Sequence, residues 1–433
     1  MTRSFSQSLA EFAAASGHPA ESALTVARLS ALDWLAVGRA GAPEPVSEMT
    51  RTMALTEAGA EQAGIFGAAG RFPARAAALV NGTTSHALDY DDTHFAHIGH
   101  PSVAVFPAAL AMAELNGRSL PETVEAALIG MELSIRVGLW LGRSHYQTGF
   151  HQTATAGAFG ATAAAGRLAG LDAAAMQHAL GLAATRAAGL KVEFGTMGKP
   201  YNAGIAAATG VEAALLCAKG FVANPDALEA PFGFGATHHG AGNVETALAG
   251  LGDEWLFETV SHKFHACCHG LHAALEAARS LDIAGPEIAE IAVRTHPRWM
   301  SVCNQPSPTT GLGAKFSYRT VLAMTALGYD TAQLDSYSER TCADPRLVEL
   351  REKVAVREDD GLSETQAHLS VLRRDGVRLE AEHDLLAPLS ISERETRIRQ
   401  KAAALIGPDT AATCWNILNN DVPAGEFAAL LRP

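Results

Sequence analysis

Helical spacing dominates the first 260 residues of the chain and most constrains what it can fold into. Alanine, leucine and glycine predominate there, and alanine is the residue that most favours a helix. Apolar residues recur every three or four positions, which places them on one face of a helix. The clearest segments are residues 24–37, 103–115, 122–141 and 154–168. We therefore expect a large all-helical body.

Short polar breaks separate these helical segments. Residues 41–45, 116–122 and 170–175 combine glycine, proline and polar side chains, as helix-to-helix turns do. Ser119 and Asp172 stand where a side-chain oxygen can accept a hydrogen bond from the first turn of the next helix, so we predict them as N-caps.

Beyond about residue 257 the pattern changes. Residues 287–295 alternate apolar and polar side chains like a half-buried strand, and residues 367–383 read as a hairpin that turns at Asp375 and Gly376. Residues 316–327 and 344–354 are predicted helices, and helices return after Ser390. A smaller α+β domain is therefore inserted before a helical tail, and a cleft between two domains is a usual place for a small-molecule site.

Composition excludes some classes of partner. The 433 residues are 48% hydrophobic and 18% charged, enough for two domains and a sizeable core. A net charge of -13 argues against nonspecific binding to nucleic acid or to an anionic membrane, because such surfaces need excess lysine and arginine. A local cationic pocket could still hold a small anion.

The sequence also predicts a cytoplasmic protein. The N-terminal residues lack a continuous apolar stretch and include Glu11, unlike a signal peptide, and no apolar run is long enough to span a membrane. The six cysteines show no CxxC spacing, so we expect reduced thiols and neither a structural metal nor an iron-sulfur cluster.

Residues 81–107 carry the densest chemistry, with three aspartates and four histidines. Imidazoles exchange protons near neutral pH, and neighbouring carboxylates can orient them, so an acid/base site is one interpretation. A metal site is a second, built from His94, His97 and His100 with Asp89 and Asp92. Gly99 and Pro101 weigh against the regular helix that this set would need. A polar helix cap with a solvated loop is a third.

Two further segments could contribute to a site. His145, Tyr146 and His151 precede a helix rich in small residues, where His151 could meet substrate anions at the positive helix end or serve as a simple cap. Lys199, between Gly198 and Pro200, could bind a carboxylate as a point charge, although most lysines are solvated. Neither a P-loop nor a dinucleotide-binding fingerprint is present.

A fourth cluster follows residue 261. It contains His262, Lys263, His265, His269 and His272. A helix is predicted to begin near Cys268, and in a helix the last three histidines would line one face. Ordinary polar residues at a helix start explain any one of them equally well. No Ser-His-Asp order, nucleophile elbow or catalytic cysteine context accompanies these groups.

Taken in order, these motifs carry a family resemblance. The chain contains NGxxSHALDYDDTH, then HPS, GFHxT, GAFGA, GTMGKP and AKFS. It resembles the MmgE/PrpD family, which includes 2-methylcitrate dehydratases, cis-aconitate decarboxylases and iminodisuccinate epimerases. The resemblance implies a mainly α protein, with a large all-helical domain built from both chain ends (1–258 and 392–433) and a smaller α+β lid domain (259–391). It also implies a homodimer and no metal or organic cofactor.

The resemblance implies active-site residues as well. Asp89, His100, His151, Lys199 and Lys263 would be catalytic, and Thr93, Tyr146 and His272 would bind substrate. Three positions depart from the pattern: Asn202 and Cys268 stand where other members carry histidine, and Thr320 stands where they carry tyrosine. The last two departures weaken a decarboxylase interpretation.

These residues predict proton transfer at the carbon next to a carboxylate. Lysines and imidazoles could hold a small di- or tricarboxylate and neutralise developing charge, while Asp89 orients a histidine base and His100 or His151 protonates a leaving hydroxyl. We expect a dehydratase-type hydro-lyase, with an epimerase close behind and a cis-aconitate-type decarboxylase third. A metal-dependent hydrolase using Asp92, His94, His97 and His100 is the alternative from another class, and a non-catalytic helical scaffold is a further one.

Overall fold

The computed structural model describes residues 3–15, 17, 19–281, 283 and 288–432. Contacts between residues divide the chain into two compact units; the first runs to His262 and resumes at Ile391, and the second is Lys263–Ser390. The sequence had placed these borders at 258 and 391.

The first stretch of the chain is helical, as predicted. Its helices are α1 (Phe5–Ala14), α2 (Glu21–Gly41), α3 (Pro45–Glu57), α4 (Ala74–His86), α5 (Pro101–Asn116), α6 (Leu120–Thr148), α7 (Gln152–Leu168), α8 (Ala173–Ala184), α9 (Gly198–Cys217), α10 (Phe234–Thr237) and α11 (Val244–Leu248). Short 3-10 turns lie at Lys191–Glu193 and Leu256–Thr259, and strands β1 (Ala63–Gly64) and β2 (Arg71–Phe72) form a small antiparallel pair. The four predicted helical segments lie within α2, α5, α6 and α7.

Both predicted N-caps are confirmed. The Ser119 hydroxyl accepts a hydrogen bond from the backbone of Glu122, whose carboxylate accepts one from the backbone of Ser119, which completes a capping box. The Asp172 carboxylate accepts a hydrogen bond from the backbone of Ala175. These caps satisfy backbone groups that a helix start otherwise leaves without partners.

The helices that frame the candidate site pack closely. Helix α9 lies against α4, α5 and α7. A Cβ placed on Gly82 of α4 would lie 2.9 Å from Cα of Gly204 in α9, so the two backbones touch where neither residue has a side chain.

The second unit combines short helices with one sheet. It contains a 3-10 turn at His269–Leu271, then α12 (His272–Leu281), β3 (Ile288–Thr295), α13 (Arg298–Val302), α14 (Gly311–Ala314), α15 (Tyr318–Ala326), a 3-10 turn at Leu334–Ser336, α16 (Glu339–Cys342), α17 (Pro345–Arg351), β4 (Val354–Glu358), β5 (Gln366–Arg373) and β6 (Arg378–Asp384). The strand order is β4-β3-β5-β6; β4 is parallel to β3, and the other two pairs are antiparallel.

Most predicted elements of this unit are confirmed, and two are corrected. The hairpin turns at Asp375 and Gly376, and Gly376 has φ 87° as such a turn requires. The helix predicted through residue 354 ends at Arg351, because Val354 begins a strand that pairs with β3. The helix predicted to begin near Cys268 starts as the 3-10 turn at His269–Leu271 and becomes α12 at His272. Residue 287, at the start of the predicted strand, lies outside the described residues.

The tail returns to the first unit as predicted helices α18 (Ile391–Ile406), α19 (Pro408–Leu418) and α20 (Ala424–Ala429). Helix α18 packs on α2, where the buried ammonium of Lys401 lies 2.6 Å from the Asp33 carboxylate. The mainly α fold is therefore confirmed, while the lid role of the second unit, the homodimer and the cytoplasmic location stay predictions. None of the described helices is long and apolar enough to cross a membrane.

Candidate active site

Three helices of the first unit begin at residues singled out in the sequence. His100 is the N-cap of α5, His151 is the N-cap of α7, and Lys199 lies in the first turn of α9. The starts of α5 and α7 are joined, because the His100 backbone donates a hydrogen bond to the Thr153 hydroxyl (3.1 Å). The partial positive charge of each helix start favours an anion at this place.

Asp89 links two of these starts. One carboxylate oxygen lies 2.7 Å from the Lys199 ammonium, and the other lies 3.5 Å from Nε2 of His100. Asp89 has φ 51°, in the left-handed region that residues with a side chain rarely adopt. Strained backbone of this kind is common at functional sites, where the surrounding structure holds it in place.

Asp91, rather than Asp89, makes the closest contact with His100. Its carboxylate lies 2.7 Å from Nδ1 of His100 and 2.9 Å from Nδ1 of His86, the last residue of α4. Burial opposes ionisation of Asp91, but the two imidazoles outweigh it and hold the pKa of its carboxyl well below the usual range. His86 was not among the predicted site residues, and its place in the histidine-rich segment is the sequence signal that could have identified it.

His151 is buried and neutral. Burial lowers the pKa of its imidazole well below the usual value, and the nearby His86, Lys199 and His100 lower it further. The Asn202 side-chain amide donates to Nδ1 of His151 (3.3 Å), so the ring proton belongs on Nε2. Asn202, noted in the sequence as a departure from the family, therefore selects the tautomer of His151 in this chain. The Phe194 ring packs edge-on against the same imidazole, 5.0 Å between centroids.

Two histidines of the metal site predicted from the sequence, His94 and His97, form hydrogen bonds with other parts of the protein. Nε2 of His94 donates to the carbonyl of Leu256 (2.9 Å), and His97 bonds to the Ser134 hydroxyl (3.1 Å). Burial lowers the pKa of His94 to about 4 and that of His97 to about 3. Each of these imidazoles therefore has its own structural partner.

Asp92 also has a structural partner. Its carboxylate accepts a hydrogen bond from the Ser102 hydroxyl (2.5 Å), and burial raises its pKa to about 7. Potential ligand atoms of His86, Asp89, Asp91 and His100 do lie within 4.8 Å of one another. Asp89 already meets the Lys199 ammonium and Asp91 already meets both imidazoles, so we interpret this group as a hydrogen-bonded acid/base network.

Two predicted substrate-binding residues of this unit lie in other local settings. Thr93 forms an antiparallel bridge with Ser261 through two backbone hydrogen bonds of 2.9 and 2.8 Å. The Tyr146 ring lies 3.8 Å from the Lys191 ammonium, which also donates to the Tyr146 carbonyl (3.0 Å). Substrate binding by Thr93 and Tyr146 stays a prediction.

Lys263 and His272 belong to the second unit. Lys263 is the first residue of that unit and is buried, and burial lowers the pKa of His272 well below its usual value, helped by His269, His265 and Lys263. Their roles also stay predictions.

Thr320 and Cys268, the two residues that depart from the decarboxylase pattern, also lie in the second unit. The Thr320 hydroxyl donates to the Ser317 hydroxyl (2.9 Å) at the start of its own helix. The Cys268 thiol is hydrogen-bonded with Cys303, a contact that together with burial raises the pKa of Cys303.

The fold and the site define a class of protein: a mainly helical chain whose larger unit gathers imidazoles, carboxylates and an ammonium at helix starts, a setting suited to proton transfer on a small anion. Family models agree with this architecture. The MmgE/PrpD N-terminal domain matches residues 7–247, and the MmgE/PrpD C-terminal domain matches residues 265–413. The chain belongs to the MmgE/PrpD family.

Several characterised enzymes are similar to the chain. The cis-aconitate decarboxylase of Aspergillus terreus is 31% identical over 287 residues, covering 63% of this chain and 58% of that protein. The cis-aconitate decarboxylase of Homo sapiens is 28% identical over 380 residues, 81% of this chain and 77% of that protein. The corresponding enzyme of Mus musculus is 25% identical over 394 residues, 84% of this chain and 78% of that protein. The alignment thus spans less than two thirds of the fungal enzyme.

Proposed function

We propose that the protein is a cofactor-independent acid/base enzyme that acts next to a carboxylate of a small di- or tricarboxylate, as a dehydratase-type lyase. The observation that carries the proposal is the pair of imidazoles at the starts of α5 and α7, held in complementary hydrogen-bonding states beside the ion pair of Asp89 and Lys199. An elimination needs one group that takes a proton and another that gives one.

His100 is the proposed base. Its Nδ1 faces the Asp91 carboxylate, so the ring proton belongs on Nδ1 and the lone pair on Nε2. When Nε2 takes a proton from the carbon next to the substrate carboxylate, Asp91 and Asp89 stabilise the imidazolium that forms. This is the role of the carboxylate in other carboxylate-histidine pairs.

His151 is the proposed acid. Asn202 occupies its Nδ1, which leaves the proton on Nε2. A neutral imidazole can donate a hydrogen bond to an oxygen that gains negative charge, and it can pass its proton to a leaving hydroxyl.

Lys199 is the proposed anchor for the substrate. Its ammonium already holds a carboxylate, that of Asp89, and its side chain is only 16% exposed. A substrate carboxylate placed there would also meet the positive ends of the three helices, which would favour the enediolate-like charge of the intermediate.

Decarboxylation is the second candidate, because the similar fungal and mammalian proteins are cis-aconitate decarboxylases. The departures at Cys268 and Thr320 weigh against it, since the Thr320 hydroxyl is engaged by Ser317 in its own helix. Epimerisation uses the same two proton-transfer groups without a leaving group.

The test is an incubation of the protein in deuterated water with citrate-like, aconitate-like and aspartate-derived acids, followed by NMR. New alkene signals would identify a dehydratase, because elimination of the hydroxyl and the neighbouring proton leaves a double bond. Gas release with a shortened product would identify a decarboxylase, and deuterium uptake with inversion at one carbon would identify an epimerase. Proton exchange with none of the acids would overturn the proposal.

Matched variants connect the activity to the site. Lys199→Met should lower kcat/KM by about a hundredfold, since it removes the charge that holds the carboxylate. Lys219→Met, an exposed lysine just beyond the far end of α9, should retain the wild-type rate. Equal loss in both variants would mean that Lys199 has no special role.

A further inference from the structure

His86 shares the Asp91 carboxylate with the proposed base, although neither its spacing nor the family resemblance had singled it out. We propose that His86 is a positioning residue for His100: by donating its Nδ1 proton to Asp91, it fixes this carboxylate and limits how much of its negative charge acts on His100. The inference rests on the proposed function only in calling His100 the base.

The geometry places one carboxylate between two imidazoles. Oδ1 of Asp91 lies 2.9 Å from His86, and Oδ2 lies 2.7 Å from His100. The two rings contact each other edge-on with centroids 4.5 Å apart, and the Asp91 side chain is 1% exposed. When a buried carboxylate loses one of its two hydrogen-bond donors, its negative charge interacts more strongly with the remaining donor.

The position of His86 in the fold suits this role. It ends α4, whose negative helix end favours a hydrogen-bond donor or cation. Close contact between α4 and α9 at Gly82 and Gly204 holds that helix end in place. The His86 side chain is fully buried, and its ring centroid lies 6.1 Å from that of His151. His86 therefore lies beside both proposed proton-transfer groups, His100 and His151, but is not itself proposed to transfer a proton.

Loss of the His86 donor should make His100 more basic. With no second donor on Asp91, the His100 imidazolium gains stabilisation, and the pKa of His100 rises by about one unit. A base must be deprotonated to act, so the acidic limb of kcat/KM should move to higher pH by the same amount. Other groups facing His100 stay unchanged: Asp89, Asp91 and His97 in the loop, His151 at α7 and Lys199 at α9.

Two amide variants test whether a hydrogen-bond donor at the position of the His86 Nδ1 is what matters. Asparagine carries its amide nitrogen where Nδ1 of histidine lies, whereas glutamine carries it near Nε2. His86→Asn should therefore keep the donor to Asp91 and the wild-type pH profile. His86→Gln should shift the acidic limb by about one unit and lower kcat about tenfold with little change in KM, because His86 does not touch substrate.

The decisive readout is the pKa of His100 itself. It is measured by NMR titration of Cε1 in full-length protein with labelled histidine, the signal being assigned by its loss in His100→Gln. A higher pKa in His86→Gln than in both wild type and His86→Asn supports the inference. Equal pKa values in the three proteins overturn it, as does an equal shift in both variants.

The titration also separates the two proposals, because it requires no turnover. If wild type exchanges no proton with any acid, the proposed function fails, while the comparison of His100 pKa values still decides the role of His86. If either amide variant fails to fold, His86→Leu replaces His86→Gln as the variant without a donor, and Asp91→Asn replaces His86→Asn as the comparison. Asp91→Asn should lower the pKa of His100, and a rise would overturn the inference.

Discussion

Asp89 illustrates how much of the site depends on a single residue. Its backbone is in the left-handed region, and its carboxylate meets both Lys199 and His100. The carboxylate neutralises the ammonium that we propose as the substrate anchor. Asp89 therefore competes with a substrate carboxylate for Lys199 while it stabilises the protonated base.

Asp89→Asn separates these two effects. Asparagine tolerates the left-handed backbone and keeps the shape of the side chain, so the fold should be retained. Removal of the negative charge should strengthen binding of an unreactive tricarboxylate about tenfold, measured by calorimetry, while kcat falls because the imidazolium loses one carboxylate. Asp253→Asn, at an exposed position, should change neither quantity. Weaker binding by Asp89→Asn would show that Asp89 positions Lys199 rather than competing with substrate.

At the scale of the elements, the contact between α4 and α9 sets the geometry of the site. Helix α4 ends at His86, and α9 begins just before Lys199. A Cβ on Gly204 would collide with the Leu79 carbonyl and the Thr83 hydroxyl of α4. The absence of a side chain at Gly204 therefore lets α4 and α9 pack closely enough for His86, at the end of α4, and Lys199, at the start of α9, to lie in the same site.

Gly204→Ala should consequently destabilise the protein, although alanine is the better helix former. The added methyl group must separate the two helices, at a cost of about 2 kcal/mol. Gly425→Ala is the matched control, because this glycine also lies in a helix and a Cβ added there would have no atom within 4 Å; its effect should be neutral or slightly stabilising. Urea unfolding of both variants measures the difference. A Gly204→Ala variant as stable as wild type would show that the contact can relax.

Most helices of the first unit follow from local sequence patterns, whereas some element boundaries do not. The spacing of apolar residues located α2, α5, α6 and α7, because helical periodicity is a local property. It missed the end of α17 and the start of β4 at Val354, since pairing with β3 decides which structure Val354 adopts. Tertiary contacts override local propensity at such boundaries.

Local sequence motifs also identified part of the candidate site. Motifs identified Asp89, His100, His151 and Lys199 as candidates, and the structure brings these four side chains into one network of contacts. Spacing along the chain could not show that Asp91 faces His100. That contact depends on the loop after α4, which includes the left-handed residue Asp89, and no periodic pattern encodes such a loop.

At the scale of the whole molecule, the returning tail supports the loop that carries the site. The Lys401 ammonium, in α18, lies 2.6 Å from the Asp33 carboxylate of α2 and donates to the Tyr90 carbonyl (2.6 Å) between Asp89 and Asp91. It also lies 3.9 Å from the centre of the Tyr90 ring. Residues more than three hundred positions apart thus hold the site together.

Asp92, in the same loop, should make stability depend on pH. Burial raises the pKa of its carboxyl from 3.8 to about 7, helped by Asp33 and Asp91. The folded protein binds this proton more tightly than the unfolded chain, so the stabilisation is complete below pH 3.8 and is lost as the pH rises through 7.

Asp92→Asn mimics the neutral carboxyl and should therefore be more stable than wild type above pH 7, by at most about 4 kcal/mol. At pH 4 or below the two proteins should differ by less than about 1 kcal/mol, because the unfolded wild-type chain then also keeps much of this proton. Thermal unfolding at both pH values tests this, and the difference between the proteins is the quantity of interest because other groups titrate equally in both. An advantage of Asp92→Asn that stays constant from pH 4 to 8 would contradict the assignment of a neutral Asp92 carboxyl.

The buried pair of Lys401 and Asp33 gives the sharpest test of support from the tail. Both side chains are 2% exposed, so Lys401→Met removes the ammonium from a buried carboxylate and should cost about 3–5 kcal/mol. Adding Asp33→Asn removes the isolated charge and should restore part of that loss, which makes the two effects non-additive. Urea unfolding of the two single variants and the double variant measures the coupling. Additive losses would mean that the ion pair itself contributes nothing and that the contact of Lys401 with the Tyr90 carbonyl and ring accounts for its effect.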